Sequence, residues 1–280
     1  MRKIILLIVI LAGFGFVTKL DAQGILNINP NEGLYEQNGT GYYRPMQYPE
    51  IREADVMWRK RIWRAIDFRQ KMNQVFYYPT ETHYNWNNFI QIILDGMKEG
   101  TLQAYKYDMN KDQLDIPISY EEFLASRSDT LRDEDTGDLV LNSDGTIAVE
   151  NFDPQSVQIL RIMEDWYFDR QRSQLMVRIL AIGPVMIKKD GGGQQLFWIS
   201  YNDNTRELFA KSNFFNRDNP GAALNYDQVF MMRLFDSYIY KEENPYDRRI
   251  SDYAKNEKAL YESERIKQEI IDFEQNLWEY

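Results

Sequence analysis

Leu-Met-Val-Arg-Ile-Leu-Ala-Ile-Gly-Pro-Val-Met-Ile, residues 175–187, is the stretch on which the fold turns. It reads as a long strand. Its neighbour upstream is ambiguous by itself, because Ile159, Ile162, Met163 and Trp166 fit a helical stripe as well as a strand. With a strand beside it, residues 159–168 read as a strand too. Gly191-Gly192-Gly193 then reads as a turn into Leu196–Tyr201, Leu-Phe-Trp-Ile-Ser-Tyr. These runs predict a small antiparallel sheet in the second half of the chain. A helix near Thr205–Lys211 and an apolar segment, Val229–Tyr240, follow.

Residues 251–280 contain no Pro or Gly and predict one long helix. Ile266, Ile270, Phe273 and Leu277 recur at spacings of four, three and four, a heptad-like seam. Such a seam packs on its own domain or docks another chain, and the spacing fits both. Upstream, Trp58, Ile62 and Ile66 recur at spacing four, which predicts a helix from near Glu53 to Met72. A second helix is expected over Trp86–Lys98, ended by Gly100, and then a short strand over Leu102–Tyr107. The fold class expected is α+β, with a helical first half, a small antiparallel sheet in the second half and a long C-terminal helix.

The remaining segments organise the chain. Arg2 and Lys3 precede an apolar run, Ile4–Val17, and a small residue at Ala22, so residues 1–22 read as a secretory signal peptide. Residues 23–50, with Pro30, Pro45, Pro49 and four glycines, show no period and read as an extended arm. Residues 51–250 form the expected α+β core, and 251–280 the final helix. An acidic, turn-rich stretch over 126–150 marks a soft boundary, with a hairpin signal at Asp144-Gly145.

Chemistry is sparse. The chain has no Cys and one His, His83, so thiol, zinc, haem and iron–sulfur chemistry have few ligands to draw on. No cofactor or metal is expected. Asp108, Asn110 and Asp112 start like a calcium loop, but Gln113 and Ser119 stand where its Gly and Glu belong. Residues 133–144 depart from the pattern sooner, with Gly137 at the third ligand position. Carboxylate pairs such as Glu121/Glu122 and Asp165/Asp169 are unremarkable among 43 acidic residues. The net charge is −10, and loss of residues 1–22, which carry +2, makes it −12. That charge repels a phosphate backbone, so nucleic acid is not an expected partner. Against this background the basic aromatic run Trp58-Arg59-Lys60-Arg61-Ile62-Trp63-Arg64 stands out. Trp and Arg anchor many interfaces. Trp58, Arg59, Arg61, Trp63 and Arg64, with Ile266, Ile270, Phe273 and Leu277, are therefore the candidate protein-interaction residues. An internal helix paired with the chain's own carboxylates is the equal alternative.

Four long strings extend the reading. They are YPEIREADVMWRKRIWRAIDFRQKMNQVFYYP at 48–79, EDWYFDRQRSQLMVRILAIGP at 164–184, LFWISY at 196–201 and RLFDSYIYKEENPYDRRI at 233–250. Together they resemble the GldN/PorN family of Bacteroidetes gliding motility and type IX secretion. The resemblance implies a periplasmic, non-catalytic ring subunit that sits against the inner face of the outer membrane. It implies binding to a GldK/PorK-like outer-membrane lipoprotein, contact with a GldM/PorM-like motor component, and self-association. Two other classes stay open from the residues alone. One is a periplasmic hydrolase working through carboxylates; the other is a ligand-binding module lined by aromatics.

Overall fold

The computed structural model describes residues 45, 47–81, 87–108, 114–127, 129–130, 149–150, 152–188, 192–214 and 224–278. In chain order the regular elements are β1 (Val56–Asp67), α1 (Phe89–Lys98), β2 (Ala104–Lys106), β3 (Pro117–Ile118), α2 (Tyr120–Arg127), β4 (Asp129–Thr130) and β5 (Val149–Glu150). Then come β6 (Val157–Asp169), β7 (Gln174–Ile187), β8 (Gly193–Gln195), β9 (Phe197–Ser200), α3 (Asp203–Lys211), β10 (Asn213–Phe214), β11 (Leu224–Asn225), α4 (Tyr226–Met231), β12 (Tyr238–Glu242), α5 (Ile250–Tyr253) and α6 (Glu257–Trp278). The signal segment, nearly all of the arm, His83, the Asp144-Gly145 turn, residues 109–113 of the first calcium-like stretch and all of the second lie outside the described residues.

The fold is α+β, but its first half is not helical. An eight-stranded sheet runs in the order β12-β1-β6-β7-β9-β2-β3, with β8 also on β7, and every pairing is antiparallel. The run expected as a helix from Glu53 is the strand β1, paired with β6 from Val56↔Asp169 to Asp67↔Ile159. A spacing of four is even, so Trp58, Ile62 and Ile66 share one face of a strand as readily as one face of a helix. The hydrogen-bond partner decides between them, and it lies about a hundred residues downstream. The sheet is thus larger than expected and draws strands from both halves. The other strands and helices fall close to their expected places, except that the final helix is broken at 254–256 into α5 and α6.

One sheet face carries two apolar clusters. Ile66, Leu160, Ile162 and Ile182 pack with Phe89, Phe123, Phe209 and Phe230 of α1 to α4. Ile62 and Ile239 pack with Ile250 of α5 and with Ile266 and Ile270 of α6. Each such side chain contributes about 1.5–3 kcal/mol on burial. Between the clusters the fully buried Glu164 takes Arg233 at 2.8 Å and 3.3 Å and the Trp166 indole N–H at 3.0 Å. The opposite face holds Trp63, Met163, Ala181 and Trp198.

Local signals set the helix starts. Asn88 caps α1 by accepting from the Ile90 N–H, and Asn202 caps α3 by accepting from Thr205. Gly96 lets α1 approach α3, since a Cβ there would lie 2.6 Å from Leu208. At the far edge the Ile239 N–H of β12 donates to Ser263 of α6, which closes part of that edge.

Candidate functional site

The basic run and the helical seam, separate in sequence, meet in space. On β1 successive side chains alternate between faces. Trp58 and Ile62 turn toward α6, where Trp58 stacks on Phe273 with centroids 4.6 Å apart. Ile266 and Ile270 are buried in the same cluster. Leu277 is half-buried one turn further on. Arg64 shares that sheet face and donates to the Ser237 hydroxyl and carbonyl at 2.8 Å and 3.0 Å. Burial, the largest influence, lowers its pKa, and Arg233 adds to the effect.

Arg59, Arg61 and Trp63 point to the other face. Arg61 grips Asp165 through Nε and Nη2 at 2.7 Å and 3.0 Å. Arg59 bridges Asp165 and Glu243, each at 3.1 Å. Trp63 is buried with the Lys241 ammonium 4.4 Å above its ring. The structure therefore gives most of this run internal partners, and leaves Arg59 the most exposed of the five.

A second feature escaped the sequence reading. Strand β7 pairs with β6 along its length, but with β9 only at Ala181 and Ile182 and with β8 only from Val185 onward. Leu180 accepts from the Tyr201 N–H at 2.8 Å. Residues 174–178 therefore have no second strand among the described residues, an open edge of about 17 Å at ~3.3 Å per residue. A groove of about 820 Å³ meets this edge at Arg178 alone and is lined by Tyr48, Ile179, Tyr201, Arg206, Asp203 and Glu207 among others.

Charge and aromatics are arranged closely there. The Tyr48 ring sits between two guanidinium groups, 4.9 Å from that of Arg178 and 4.6 Å from that of Arg206. Arg206 is neutralised by Asp227 at 3.0 Å, both almost wholly buried, and the Tyr201 hydroxyl donates to the same carboxylate at 3.0 Å. Burial, with Asp227 adding to it, raises the Tyr201 hydroxyl pKa well above its ordinary value; burial also raises that of Tyr48. Arg178 differs. Its Nη2 donates to the Pro49 carbonyl at 3.3 Å, and its buried Nε has no partner among the described residues. Its cross-strand neighbour Asp165 is taken by Arg59 and Arg61. The available signal was a single charged residue inside the apolar run Leu-Met-Val-Arg-Ile-Leu.

This geometry suits binding better than bond-breaking. The acids on the groove, Asp203 and Glu207, sit on one helix, and Lys211 holds Glu207 at 2.7 Å and lowers its pKa. Asp165 and Asp169 are each held by arginines, and Arg172 lowers the Asp169 pKa. Among the described residues no group of three or more His, Cys, Asp or Glu side chains is placed to hold a metal ion. The family model of gliding motility associated protein GldN matches residues 51–279. No curated protein matches the chain.

Proposed function

The chain belongs to the GldN family of gliding motility associated proteins, and from that premise we propose that it is a non-catalytic structural subunit of the type IX secretion and gliding machinery. The supporting observation is the extent of the match. It runs from the residues just before β1 to the end of α6, and so takes in the sheet and both sets of helices packed on it. In this reading the chain works in the periplasm and is held beneath the outer membrane by a GldK/PorK-like lipoprotein. It self-associates into a ring and contacts a GldM/PorM-like motor component. Among the described residues no helix is long and apolar enough to cross a membrane, so the reading assigns membrane attachment to the lipoprotein.

Unlike faces on one subunit are what a closed ring requires. The half-exposed Arg59–Asp165–Glu243 ridge on one sheet face and the outer surface of α6 are two such faces. Charge reversal at Arg59 and Arg61 tests the first; assembly that survives with folding intact would remove it. A second reading has one observation in its favour. The groove containing Tyr48 and Tyr201 is large enough for a small ligand. In-frame deletion separates the two readings. A machine subunit predicts loss of type IX export as a whole, restored by the intact gene. Export that continues normally would contradict the proposed role.

A further inference from the structure

We infer that Tyr48 and Pro49 form a releasable strap, in which Tyr48 acts as a tethered ligand and fills a slot that recognises a tyrosine side chain. The strap closes the slot in the resting chain, and its release opens the slot to a tyrosine of another protein. This goes beyond the structural role proposed above and does not depend on it. Three contacts define the slot. The Tyr48 ring lies between two guanidinium groups, 4.9 Å from that of Arg178 and 4.6 Å from that of Arg206. Its hydroxyl accepts from the Ile179 main-chain N–H. The Pro49 carbonyl accepts from Arg178 at 3.3 Å. Ring, hydroxyl and the carbonyl of the next residue are thus each met by a separate group, which is the pattern of a recognition site.

The walls of the slot are built without Tyr48. Asp227 holds Arg206 at 3.0 Å and accepts from the Tyr201 hydroxyl at 3.0 Å, and all three are buried. Arg178 is set by β7, where it lies across from Asp165 of β6. These walls also fix the chemistry of the occupant. Guanidinium groups on both sides favour an electron-rich ring. Asp203 and Glu207 line the same groove and disfavour an anion. A neutral phenol suits both. The strap itself is lightly held. Tyr48 and Pro49 are half-buried, while Gln47 and Glu50 on either side are exposed. Two stacked cations and two hydrogen bonds gain an amount of the same order as the entropy lost in ordering residues 48–50. Opening the strap is therefore far cheaper than unfolding the sheet.

Hydrogen exchange of the Ile179 amide in the purified full chain reads the strap. Exchange there should run by local opening, at least ten-fold faster than at Ile182, which is paired on both sides within the sheet. Exchange at Ile179 only through global unfolding would overturn the inference. Tyr48→Ala should empty the slot. A blocked Tyr-Pro dipeptide, acetylated and amidated, should then bind saturably by calorimetry and slow the Ile179 exchange again. The parent chain, with its slot filled, and the variant offered a blocked Ala-Pro dipeptide should each bind roughly ten-fold more weakly. Tyr48→Phe keeps the ring and loses the hydroxyl, so it should speed exchange at Ile179 with an unchanged melting midpoint, and it serves if the alanine variant fails to fold. Equal binding of the two dipeptides, equal binding by parent and alanine variant, no binding at all, or parental exchange at Ile179 in Tyr48→Phe would each overturn the inference. So would protection of Ile179 that rises with protein concentration, because Tyr48 would then fill the slot of a second copy. Export after gene deletion judges the structural role separately, so either can fail without the other.

Discussion

Replacing Ile266 by alanine asks whether α6 is held by its own sheet. Ile266 is fully buried among Ile62, Ile239, Ile250 and Ile270. Truncation of such a side chain costs about 2–5 kcal/mol, the spread reflecting how far the site collapses. A two-sided site between sheet and helix suggests about 3 kcal/mol. Phe273→Ala removes the 4.6 Å stack on Trp58, a contribution of about 0.5–1.5 kcal/mol beyond area, with part of a ring's burial added. Its expected cost is about 2 kcal/mol. The two sites share neighbours, so the double variant should not be their simple sum. Urea unfolding at constant m-value reads each change, and a domain of this size should lose roughly 2–4 °C of melting midpoint per kcal/mol. If both variants unfold within about 0.5 kcal/mol of the parent, the packing argument fails. The seam would then be free in solution and available to another chain.

Gly183→Ala should destabilise by about 1–3 kcal/mol, because its Cβ would lie 2.4 Å from Gln195 and 2.9 Å from Trp198; thermal melting reads it. Arg233→Met leaves Glu164 buried without its cation and should cost about 3–5 kcal/mol, while adding Glu164→Gln should recover part of that loss. A double-mutant cycle in which the second change makes matters worse would refute it. Tyr201 and Tyr226 are buried with raised hydroxyl pKa values, so they stay neutral in the fold while the unfolded chain ionises near pH 10. Stability is therefore present below about pH 10 and falls as pH rises beyond it. Melting midpoints from pH 8 to 11 should show that fall, with a shallower slope in Tyr201→Phe.

The parts of the fold legible in sequence were those whose neighbours in space are neighbours in the chain. Residues 159–168 and 175–187 form one hairpin, and each run helped to read the other. The basic run was misread because its periodicity is shared by helix and strand, and its partner β6 is distant. The same distance hid the acids that hold it, since Asp165 and Glu243 reach Arg59 from two separate strands or their ends. The helical seam was legible as a stripe, and Trp58 as an unusual aromatic, but nothing in either pattern said that they touch. The groove was least legible of all. Tyr48, Arg178, Tyr201 and Arg206 come from four segments, and only the topology brings them together. The lone Arg178 in an apolar strand was the trace that remained.

The most direct test of the structural role is the mass of the chain purified alone and after co-expression with its GldK-like lipoprotein, by light scattering after detergent extraction. A very large, stable complex containing both proteins in fixed proportion is the expected result. A monomer that ignores the lipoprotein would contradict it.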